Sequence, residues 1–418
     1  MHVNLTQNKK KIINDPVYGF ISIPNAFIFD LIEHPWFQRL RRIRQLGLTD
    51  YVYPGGHHSR YHHALGALHL MQLAVVHLRS RGNDITEEEE NGVYAAILLH
   101  DIGHGPFSHA LEYSIVSGIT HEHISLMFME EMNHQLDGKL DLCIRIFTDT
   151  YPKRFLHRLV SSQLDMDRLD YLNRDSFFTG VVEGTVGAER IIKMLDVAND
   201  EIVVQEKGIY SIEKFLVARR LMYWQVYLHK TVLSAENLLV GTLRRARELA
   251  HSGQKLFASQ ALEYFLNGRA FSEGELQSRQ DFLSHFARLD DYDIFAAAKE
   301  WMLCGDPVLS ELSTRLIERN LFRIHLDIVP FAADKVQILS DALLKKGFGP
   351  HEASYFVFTG EIANSAYKDG EDKILIVQKN GAIVGLNEAA GQLQLHLSTE
   401  ATRKYFLCYP KELDHLFN

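Results

Sequence analysis

The sequence predicts a mostly α-helical core followed by a smaller α+β region. Apolar residues recur with helical spacing through most of residues 1–320, where few stretches alternate as strands do. After residue 320 the chain becomes rich in β-forming segments, and Asn380-Gly381 lies between two apolar runs, which is a strong hairpin signal. We therefore divide the chain into a helical domain, residues 1–320, and an α+β region, residues 321–418.

The first elements follow from local signals along the chain. Residues 14–35 are typical of a turn and a short extended segment that lead into a helix, and residues 36–46 continue as a helix with arginines between apolar positions. A loop marked by Pro54-Gly55-Gly56 precedes a long apolar helix that begins near Arg60. The next helix opens with a threonine and acidic residues, which suit a helix N-terminus, and it runs to His100-Asp101.

The later elements are helical until the texture changes. Helical patterning continues through residues 121–136, 154–176 and 211–250. The clearest exception is residues 202–212, whose sequence IVVQEKGIYSI indicates a small hairpin. The α+β region is β-rich in the segments LFRIHLDIV, ASYFVFTGEI and KILIVQKNGAIVGL.

Composition narrows the class of protein. The 46% apolar and 23% charged residues are ordinary for a globular chain, and no window has the length of apolar sequence that a membrane span or a secretory signal needs. The three cysteines lie far apart without a CxxC pair, which argues against disulfide and thiolate metal sites and leads us to expect a cytoplasmic protein. A formal net charge of −9 disfavours a dedicated binder of duplex nucleic acid.

Histidines point to a candidate site. Many of the 22 histidines fall between His57 and His134. His100 and Asp101 end an apolar helix, where a buried polar pair is costly unless a partner satisfies it. A divalent cation would do so, and imidazole with carboxylate suits Mn, Fe, Zn, Ni or Mg. His63 follows Arg60 by three residues on one helix, so both could point into the same cleft.

A second polar group lies further along the chain. Asp167, Tyr171 and Asp175 recur at four-residue steps, which is one stripe of a helix. This stripe is polar where a core stripe would be apolar, so it lines either solvent or a polar site. Shortly after the His-Asp pair come Gly103, Gly105 and Pro106, which disfavour a continued helix, and we expect them to let the backbone approach a ligand closely.

Each of these residues alone also has an ordinary structural explanation. His100-Asp101 could be a helix C-terminal pair bonded to backbone groups, and His63, with three more histidines nearby in sequence, could be a surface residue. Asp167 could lie on a solvated helix face, and Tyr171 and Tyr227 could be half-buried core tyrosines. The joint order and spacing of the set favours the site.

The ordered set resembles the H…HD…D pattern of the HD superfamily. Six segments follow one another as in its deoxynucleoside triphosphate triphosphohydrolases, the branch that includes the mammalian SAM-and-HD-domain enzyme: NDPVYGFISI, FQRLRRIRQLG, YPGGHHSRYHHALG, HDIGHGPFSHALE, THEH and DMDRLDYLNRD. The resemblance covers residues 11–245 and implies an HD-domain helical core. Too few residues precede this core for an N-terminal SAM domain, so we expect none.

The resemblance also implies roles for individual residues. The implied metal ligands are His63, His100, Asp101 and Asp167. The implied general acid and the polar cluster around the α-phosphate are His121, His104, His109 and Glu112. The implied substrate-binding residues are Gln45, Arg60, Arg168, Tyr171, Asp175, Arg219 and Tyr227. The implied activator-site residues, which could equally form a basic helix face that packs locally, are Lys11, Asn14, Glu33, Gln38 and Arg41.

Two positions depart from the mammalian motif and leave the details of sugar discrimination and proton relay open. Tyr223 stands where that motif has a histidine one turn before Tyr227, and Glu112 replaces an aspartate.

The resemblance implies a metal-dependent hydrolase that converts (deoxy)nucleoside triphosphates to nucleoside and tripolyphosphate. Its expected partners are the nucleotide substrate, possible activating nucleotide and further copies of the chain in a dimer or tetramer, with no membrane. The alternatives are an HD 5′-nucleotidase or phosphodiesterase, or an HD protein that senses nucleotide without catalysis. The sequence lacks the HDIGK and GYP motifs of cyclic-dinucleotide phosphodiesterases, and it retains every implied metal ligand.

Overall fold

The structure is a computed structural model, and the residues that it describes are 11–107, 114, 116, 118–268, 279–364, 373–389 and 402–417. It begins with a hairpin of β1 (Ile12–Asp15) and β2 (Gly19–Ser22), followed by α1 (Ala26–Glu33) and α2 (Pro35–Gln38). The helices around the site are α3 (Arg60–Ser80), α4 (Glu87–Leu99), α5 (His121–Gln135), α6 (Asp141–Phe147), α7 (Arg154–Val160) and α8 (Met166–Thr179).

The helix α3 is the centre of this core. It packs against α4 and α8, and its buried residues lie on most of its circumference, which agrees with its weakly amphipathic sequence. Thr86 begins α4 with a capping box, in which its hydroxyl accepts the Glu89 N–H at 3.1 Å and the Glu89 carboxylate accepts the Thr86 N–H at 2.8 Å. The side chain of Asp165 caps α8, and Gly180 ends that helix with φ 75°.

The chain continues with more helices and small sheets. The next elements are α9 (Ala188–Ile192), β3 (Leu195–Ala198), β4 (Glu201–Gln205), α10 (Ile209–Met222), a π-helical turn (Tyr223–Tyr227) and α11 (Lys230–His251). They are followed by α12 (Gln260–Asn267), α13 (Arg279–Phe286), α14 (Asp291–Trp301) and α15 (Pro307–Ile317). The last elements are β5 (Arg323–Asp327), α16 (Ala333–Lys345), α17 (Pro350–Ala353), β6 (Phe358–Asn364), β7 (Leu375–Val377), β8 (Ile383–Gly385), α18 (Leu386–Ala389) and β9 (Thr402–Tyr409).

The predicted fold class is confirmed, because a helical core precedes a region that mixes strands and helices. The hairpin predicted at Asn380-Gly381 is also present, since β7 and β8 pair antiparallel and Gly381 has φ 84°. Among the described residues the strands form a sheet of order β5-β9-β6 and another of order β3-β4-β7-β8. The second sheet joins both parts of the chain, and the division at residue 320 stays a prediction.

The hairpin predicted over residues 202–212 is wrong in its position along the chain. The hairpin consists of β3 and β4, and its turn is Asn199-Asp200, with φ 54° and 61°. Asparagine and aspartate tolerate these left-handed values, so the turn signal preceded the predicted segment. From Ile209 onward the chain is helical. No helix within the described ranges is both long and apolar enough to cross a membrane.

Candidate active site

Three elements bring the four predicted metal ligands together. His63 lies on α3, Asp167 lies in the first turn of α8, and His100 and Asp101 follow the last residue of α4. Nε2 of His63 is 3.1 Å from Oδ1 of Asp167 and 3.8 Å from Oδ2 of Asp101. Nε2 of His100 is 3.3 Å from Oδ1 of Asp101 and 3.6 Å from Oδ1 of Asp167. The donor atoms of His63, His100 and Asp101 lie within 4.8 Å of one another, and Oδ1 of Asp167 lies close to both imidazoles, so the cluster is able to hold a metal ion.

The donor atoms of this cluster fit a cation. Nε2 of His63 and Nε2 of His100 are buried and make no hydrogen bond of good geometry with the described residues, although carboxylate oxygens lie close. Burial alone would lower the pKa of His63, but Asp167 and Asp170 outweigh it and raise this pKa to about 10. The carboxylates thus favour a positive charge at this position. A divalent ion would supply that charge when it displaced the proton.

His104 and His121 form a second pair beside the cluster. Their ring centroids are 3.9 Å apart, and Nδ1 of His104 is 3.3 Å from Oδ1 of Asp101. Burial and then the charge of Arg60 lower the pKa of His104 to about 3, so its ring is neutral at neutral pH. His121 is the first residue of α5, where the helix N-terminus favours negative charge. The pair therefore presents a polar face suited to an anion.

Gly103 allows this pair to form, because it lets the loop after α4 pack against α5. A Cβ at Gly103 would lie 2.3 Å from the backbone oxygen of His121 and 2.3 Å from the backbone nitrogen of Ser125. The close neighbour of Gly103 is thus the start of α5, and an approach of this backbone to a ligand stays a prediction.

A cavity of about 550 Å³ opens from the cluster, which is a typical volume for a small-molecule site. Six of the predicted substrate-binding residues line it: Gln45, Arg60, Arg168, Tyr171, Asp175 and Tyr227. His100, Asp101, Asp167, His104 and His121 line it as well. The cavity thus joins the candidate metal cluster to a chamber with tyrosine walls.

Comparisons with known proteins agree with this arrangement. Residues 60–157 match the model of the HD domain, and residues 186–264 match that of the HD associated region. The chain is 31% identical over 421 residues to the protein YwfO of Bacillus subtilis strain 168, and the alignment covers 97% of this chain and 93% of YwfO. A solved phosphohydrolase of Bacteroides thetaiotaomicron VPI-5482 is 53% identical and has a TM-score of 0.92, covering 96% of this chain and 99% of that one.

The chain belongs to the HD-domain phosphohydrolase family. It is also 31% identical over 271 residues to the deoxynucleoside triphosphate triphosphohydrolase SAMHD1 homolog of Dictyostelium discoideum. This alignment covers 60% of this chain and 52% of that protein. Its residues His63, His100 and Asp101 have donor atoms within 4.8 Å of one another, so this HD phosphohydrolase has a cluster able to hold a metal ion.

The three arginines among the predicted substrate-binding residues differ in their contacts. Nη1 of Arg60 donates to Asp101, and Nη1 of Arg168 donates to Asp165. Nε of Arg168 and both Nε and Nη1 of Arg219 are buried without a hydrogen bond to the described residues. Arg219 does not line the cavity itself, but its guanidinium carbon lies 5.9 Å from the ring centroid of Tyr223, which does. Arg168 and Arg219 therefore have donors available for an oxyanion.

Asp175 lines the cavity and binds two neighbouring side chains. Tyr227 donates its hydroxyl hydrogen to Oδ2 of Asp175 at 2.7 Å, and Nε2 of His58 lies 2.7 Å from Oδ1. The His58 ring is only 2% exposed and stacks on Phe178 at 4.4 Å. His58 is a site residue that the sequence analysis missed, because its dense histidine neighbourhood is typical of a surface segment.

Further residues of the site lay outside the sequence predictions. Phe107 and Glu236 line the cavity, and Tyr223, noted only as a departure, lines it too. Arg39 is fully buried, and its Nη2 donates to the backbone carbonyl of His104 at 2.8 Å, which fixes the backbone at that site residue. The sequence signal that could have indicated a buried Arg39 is its position between apolar residues of a helical pattern. Two predicted catalytic residues, His109 and Glu112, lie outside the described residues.

The activator-site candidates lie on the N-terminal elements. Nε of Arg41 donates to Oε1 of Gln38 at 2.7 Å, and its guanidinium carbon lies 3.6 Å from the ring centroid of Tyr61. The other three occupy neighbouring elements: Lys11 before β1, Asn14 in β1 and Glu33 at the end of α1. These contacts are local packing, and a nucleotide site there stays a prediction.

Proposed function

We propose that this HD phosphohydrolase hydrolyses (deoxy)nucleoside triphosphates at the α-phosphate and releases nucleoside and tripolyphosphate. The observation that carries the proposal is the single cavity that joins the His-Asp cluster to a tyrosine-walled chamber. Such a cavity has room for a triphosphate at one end and a nucleoside at the other. The printed name of the Dictyostelium relative, a deoxynucleoside triphosphate triphosphohydrolase, supports the same substrate class.

The proposed metal ligands are His63, His100, Asp101 and Asp167. The donor atoms of the first three lie within 4.8 Å of one another, and Oδ1 of Asp167 lies 3.1 Å from Nε2 of His63. Two imidazoles and two carboxylates suit Mn, Fe, Zn, Ni or Mg, and we leave the identity open. When bound, such a cation supplies Lewis acidity to a phosphoryl group and to the attacking water.

The arginines and tyrosines would hold the substrate. Arg168 and Arg219 have buried donor nitrogens without a hydrogen bond to the described residues, and guanidinium groups bind phosphate oxygens in forked geometry. Tyr171 and Tyr227 present their rings to the chamber, with centroids 6.1 Å apart, and would pack against the nucleoside. Asp175 keeps Tyr227 in place through the hydrogen bond from its hydroxyl.

His121 would act as the general acid. Hydrolysis at the α-phosphate breaks the bond between phosphorus and O5′, and that oxygen needs a proton as it leaves. His121 lines the cavity at the start of α5. A proton donated there typically contributes about 10²–10⁴-fold to the rate. The ring of His104, which is neutral at neutral pH, has its centroid 3.9 Å from that of His121.

The product analysis tests the proposed reaction. The purified chain is incubated with dGTP and Mn²⁺, and the phosphorus products are separated by ion chromatography. We expect tripolyphosphate and deoxyguanosine in equal amounts. Release of inorganic phosphate or pyrophosphate instead would rule out cleavage of the bond between the α-phosphorus and O5′.

The ligand assignment has its own test. We expect His63→Ala and Asp101→Ala each to abolish bound manganese, whereas His134→Ala, an exposed histidine on α5, keeps it. Metal content is measured by elemental analysis after reconstitution. Full occupancy in either ligand variant would contradict the assignment.

We also propose that nucleotide binding at the N-terminal candidates regulates activity and that the chain forms a homo-oligomer. Nucleoside triphosphates are tested singly and in pairs, with light scattering to follow the mass of the assembly. Activity that appears only with a second nucleotide, and is lost in Arg41→Met, is the expected result. Equal activity with single nucleotides would contradict regulation.

A further inference from the structure

A buried chain of ion pairs lies against His63, on the opposite edge of its ring from the candidate metal position. Nδ1 of His63 is 2.7 Å from Oδ2 of Asp170. Arg174 donates to both oxygens of Asp170, from Nε at 2.9 Å and from Nη2 at 3.0 Å. Its Nη1 donates to Oδ2 of Asp15 at 2.7 Å. The contacts thus run from the ring on α3 through α8 to the N-terminal hairpin.

The burial of this chain requires its members to satisfy one another. His63, Asp170 and Arg174 are fully buried, and Asp15 is 7% exposed. Two carboxylates face one guanidinium, so one negative charge remains for the histidine edge. A buried charge without a hydrogen-bond partner is costly, so Asp170 holds the Nδ1 hydrogen of His63. That hydrogen bond leaves the lone pair of neutral His63 at Nε2, which faces Asp101 and Asp167.

Gly66 gives an independent sign that this arrangement is built into the core. It lies on α3, one turn after His63, where glycine is unfavourable for a helix. A Cβ at Gly66 would lie 2.0 Å from Oδ1 of Asp170 and 2.1 Å from Nη2 of Arg174. The Asp170–Arg174 pair can therefore lie against α3 only because this position has no side chain.

We propose that Asp170, held by Arg174 and Asp15, is a positioning residue that fixes the ring orientation and the tautomer of His63 for binding a cation. A carboxylate behind a histidine ligand raises the basicity of the ligand and orders its ring before the metal arrives. Through Asp15 the same chain connects the β1–β2 hairpin to the metal position. The proposal rests on the proposed function, since it requires that His63 binds a cation.

Metal affinity of the stripped full-length chain tests the proposal without relying on turnover. Free Mn²⁺ is followed by electron paramagnetic resonance during titration, and thermal unfolding is recorded for each variant. Asp170→Asn should weaken Mn²⁺ binding by about 10–100-fold, the usual effect of removing a carboxylate behind a histidine ligand. The spectrum of a Co²⁺-loaded sample should also change, because the ligand field depends on the ring of His63.

Asp306→Asn is the matched control for a merely structural effect. Asp306 is also buried, accepts two hydrogen bonds from Arg245 and caps α15, but it does not line the cavity. We expect this variant to lose thermal stability and to keep its Mn²⁺ dissociation constant within about twofold of the wild-type value. Equal weakening of Mn²⁺ binding in both variants would mean a general structural effect and would overturn the proposal.

Two milder comparisons keep the test decisive if Asp170→Asn does not fold. Asp15→Asn can still accept the backbone N–H groups of Val17 and Tyr18, and should weaken Mn²⁺ binding by about threefold or more. Gly66→Ala should weaken it as well, whereas Gly241→Ala should not, because a Cβ at Gly241 meets only ordinary contacts at 3.9 and 4.0 Å.

The outcomes separate this proposal from the proposed function. Unchanged Mn²⁺ affinity in Asp170→Asn, or in Asp15→Asn if the first variant is unfolded, would overturn the positioning role alone. A wild-type chain that binds no divalent cation would overturn both the metal site and the positioning role.

Discussion

Buried charges at the site are each placed beside opposite charges. Asp101 is 7% exposed, and burial alone would raise its pKa. The charges of His100 and Arg60, together with a hydrogen bond from His104, instead hold the pKa of Asp101 well below its usual range. In the same way, His100 and His63 hold the pKa of Asp167 well below its usual range against the effect of burial. Both carboxylates therefore stay ionised and available as ligands at neutral pH.

Asp291 shows the opposite behaviour and leads to a prediction about pH. Burial raises its pKa to about 6, although it accepts the N–H groups of Arg44 at 3.0 Å and Phe107 at 3.1 Å. The unfolded value is about 3.9, so between about pH 4 and pH 6 the folded state binds more protons than the unfolded state. The free energy of unfolding should therefore fall as pH rises through that window, by about 3 kcal/mol from this residue at most.

Urea denaturation at several pH values, with Asp291→Asn as the comparison, measures this contribution. The variant cannot ionise, so the difference in unfolding free energy between wild type and variant should change across the window and level off above about pH 7. A difference that stays constant from about pH 4 to pH 7 would show that Asp291 does not have the raised pKa.

The loop of residues 100–107, which follows α4, is held by hydrogen bonds from three sides. Arg39 donates to the carbonyls of Ile102 at 3.3 Å and His104 at 2.8 Å, and Asp291 accepts the Phe107 N–H. Ser125 on α5 donates to the His100 carbonyl at 2.7 Å and accepts the Gly103 N–H at 2.9 Å. This loop carries Asp101 and His104, so its fixed backbone sets the geometry of the site.

Arg39→Met should destabilise the chain strongly. It removes the donors to the carbonyls of Ile102 and His104 and also the Nε donor to the Leu289 carbonyl at 2.9 Å, so three hydrogen bonds of a fully buried side chain are lost. We expect a loss of about 3 kcal/mol or more in the free energy of unfolding. Arg42→Met is the control, because the Arg42 side chain is 45% exposed and its pair with Asp290 should contribute about 0–1 kcal/mol. Similar losses in both variants would contradict the account of Arg39.

Gly103→Ala should separate the loop from α5. The added Cβ would meet backbone atoms of His121 and Ser125 at 2.3 Å, and backbone cannot move aside as a side chain can. We expect turnover to fall on the order of 10²-fold, since small displacements of reacting groups have effects of that size. Gly305→Ala, where a Cβ meets no atom within 4 Å, should keep wild-type turnover, and equal kinetics in both variants would count against the packing argument.

Most elements and the residues of the candidate metal cluster could be named from the sequence, whereas the long-range contacts that support them could not. The four-residue stripe of Asp167, Tyr171 and Asp175 and the order of the HD residues depend on local spacing, which helical periodicity preserves. Arg39 and His58 act through partners far along the chain, and no local pattern distinguishes a buried arginine or histidine from an exposed one. The position of the hairpin with its turn at Asn199-Asp200 was missed because the predicted strand pair extended beyond β4 into the residues of α10.

The residues of the site lie on helices that are remote from one another in sequence, so a bound metal ion should stabilise the whole molecule against unfolding. Mn²⁺ that binds only the folded chain should raise the free energy of unfolding by about 2.7 kcal/mol at a concentration one hundred times its dissociation constant. Thermal unfolding is followed with Mn²⁺ and after its removal by EDTA. His63→Ala should not respond to Mn²⁺, and a response equal to that of the wild type would place the binding elsewhere.

The most direct measurement is the anomalous diffraction of a crystal grown with Mn²⁺. We expect one strong peak within bonding distance of Nε2 of His63, Nε2 of His100 and carboxylate oxygens of Asp101 and Asp167. A well-ordered site without a peak, or a peak bound by other side chains, would contradict the claim that these four residues form the metal centre.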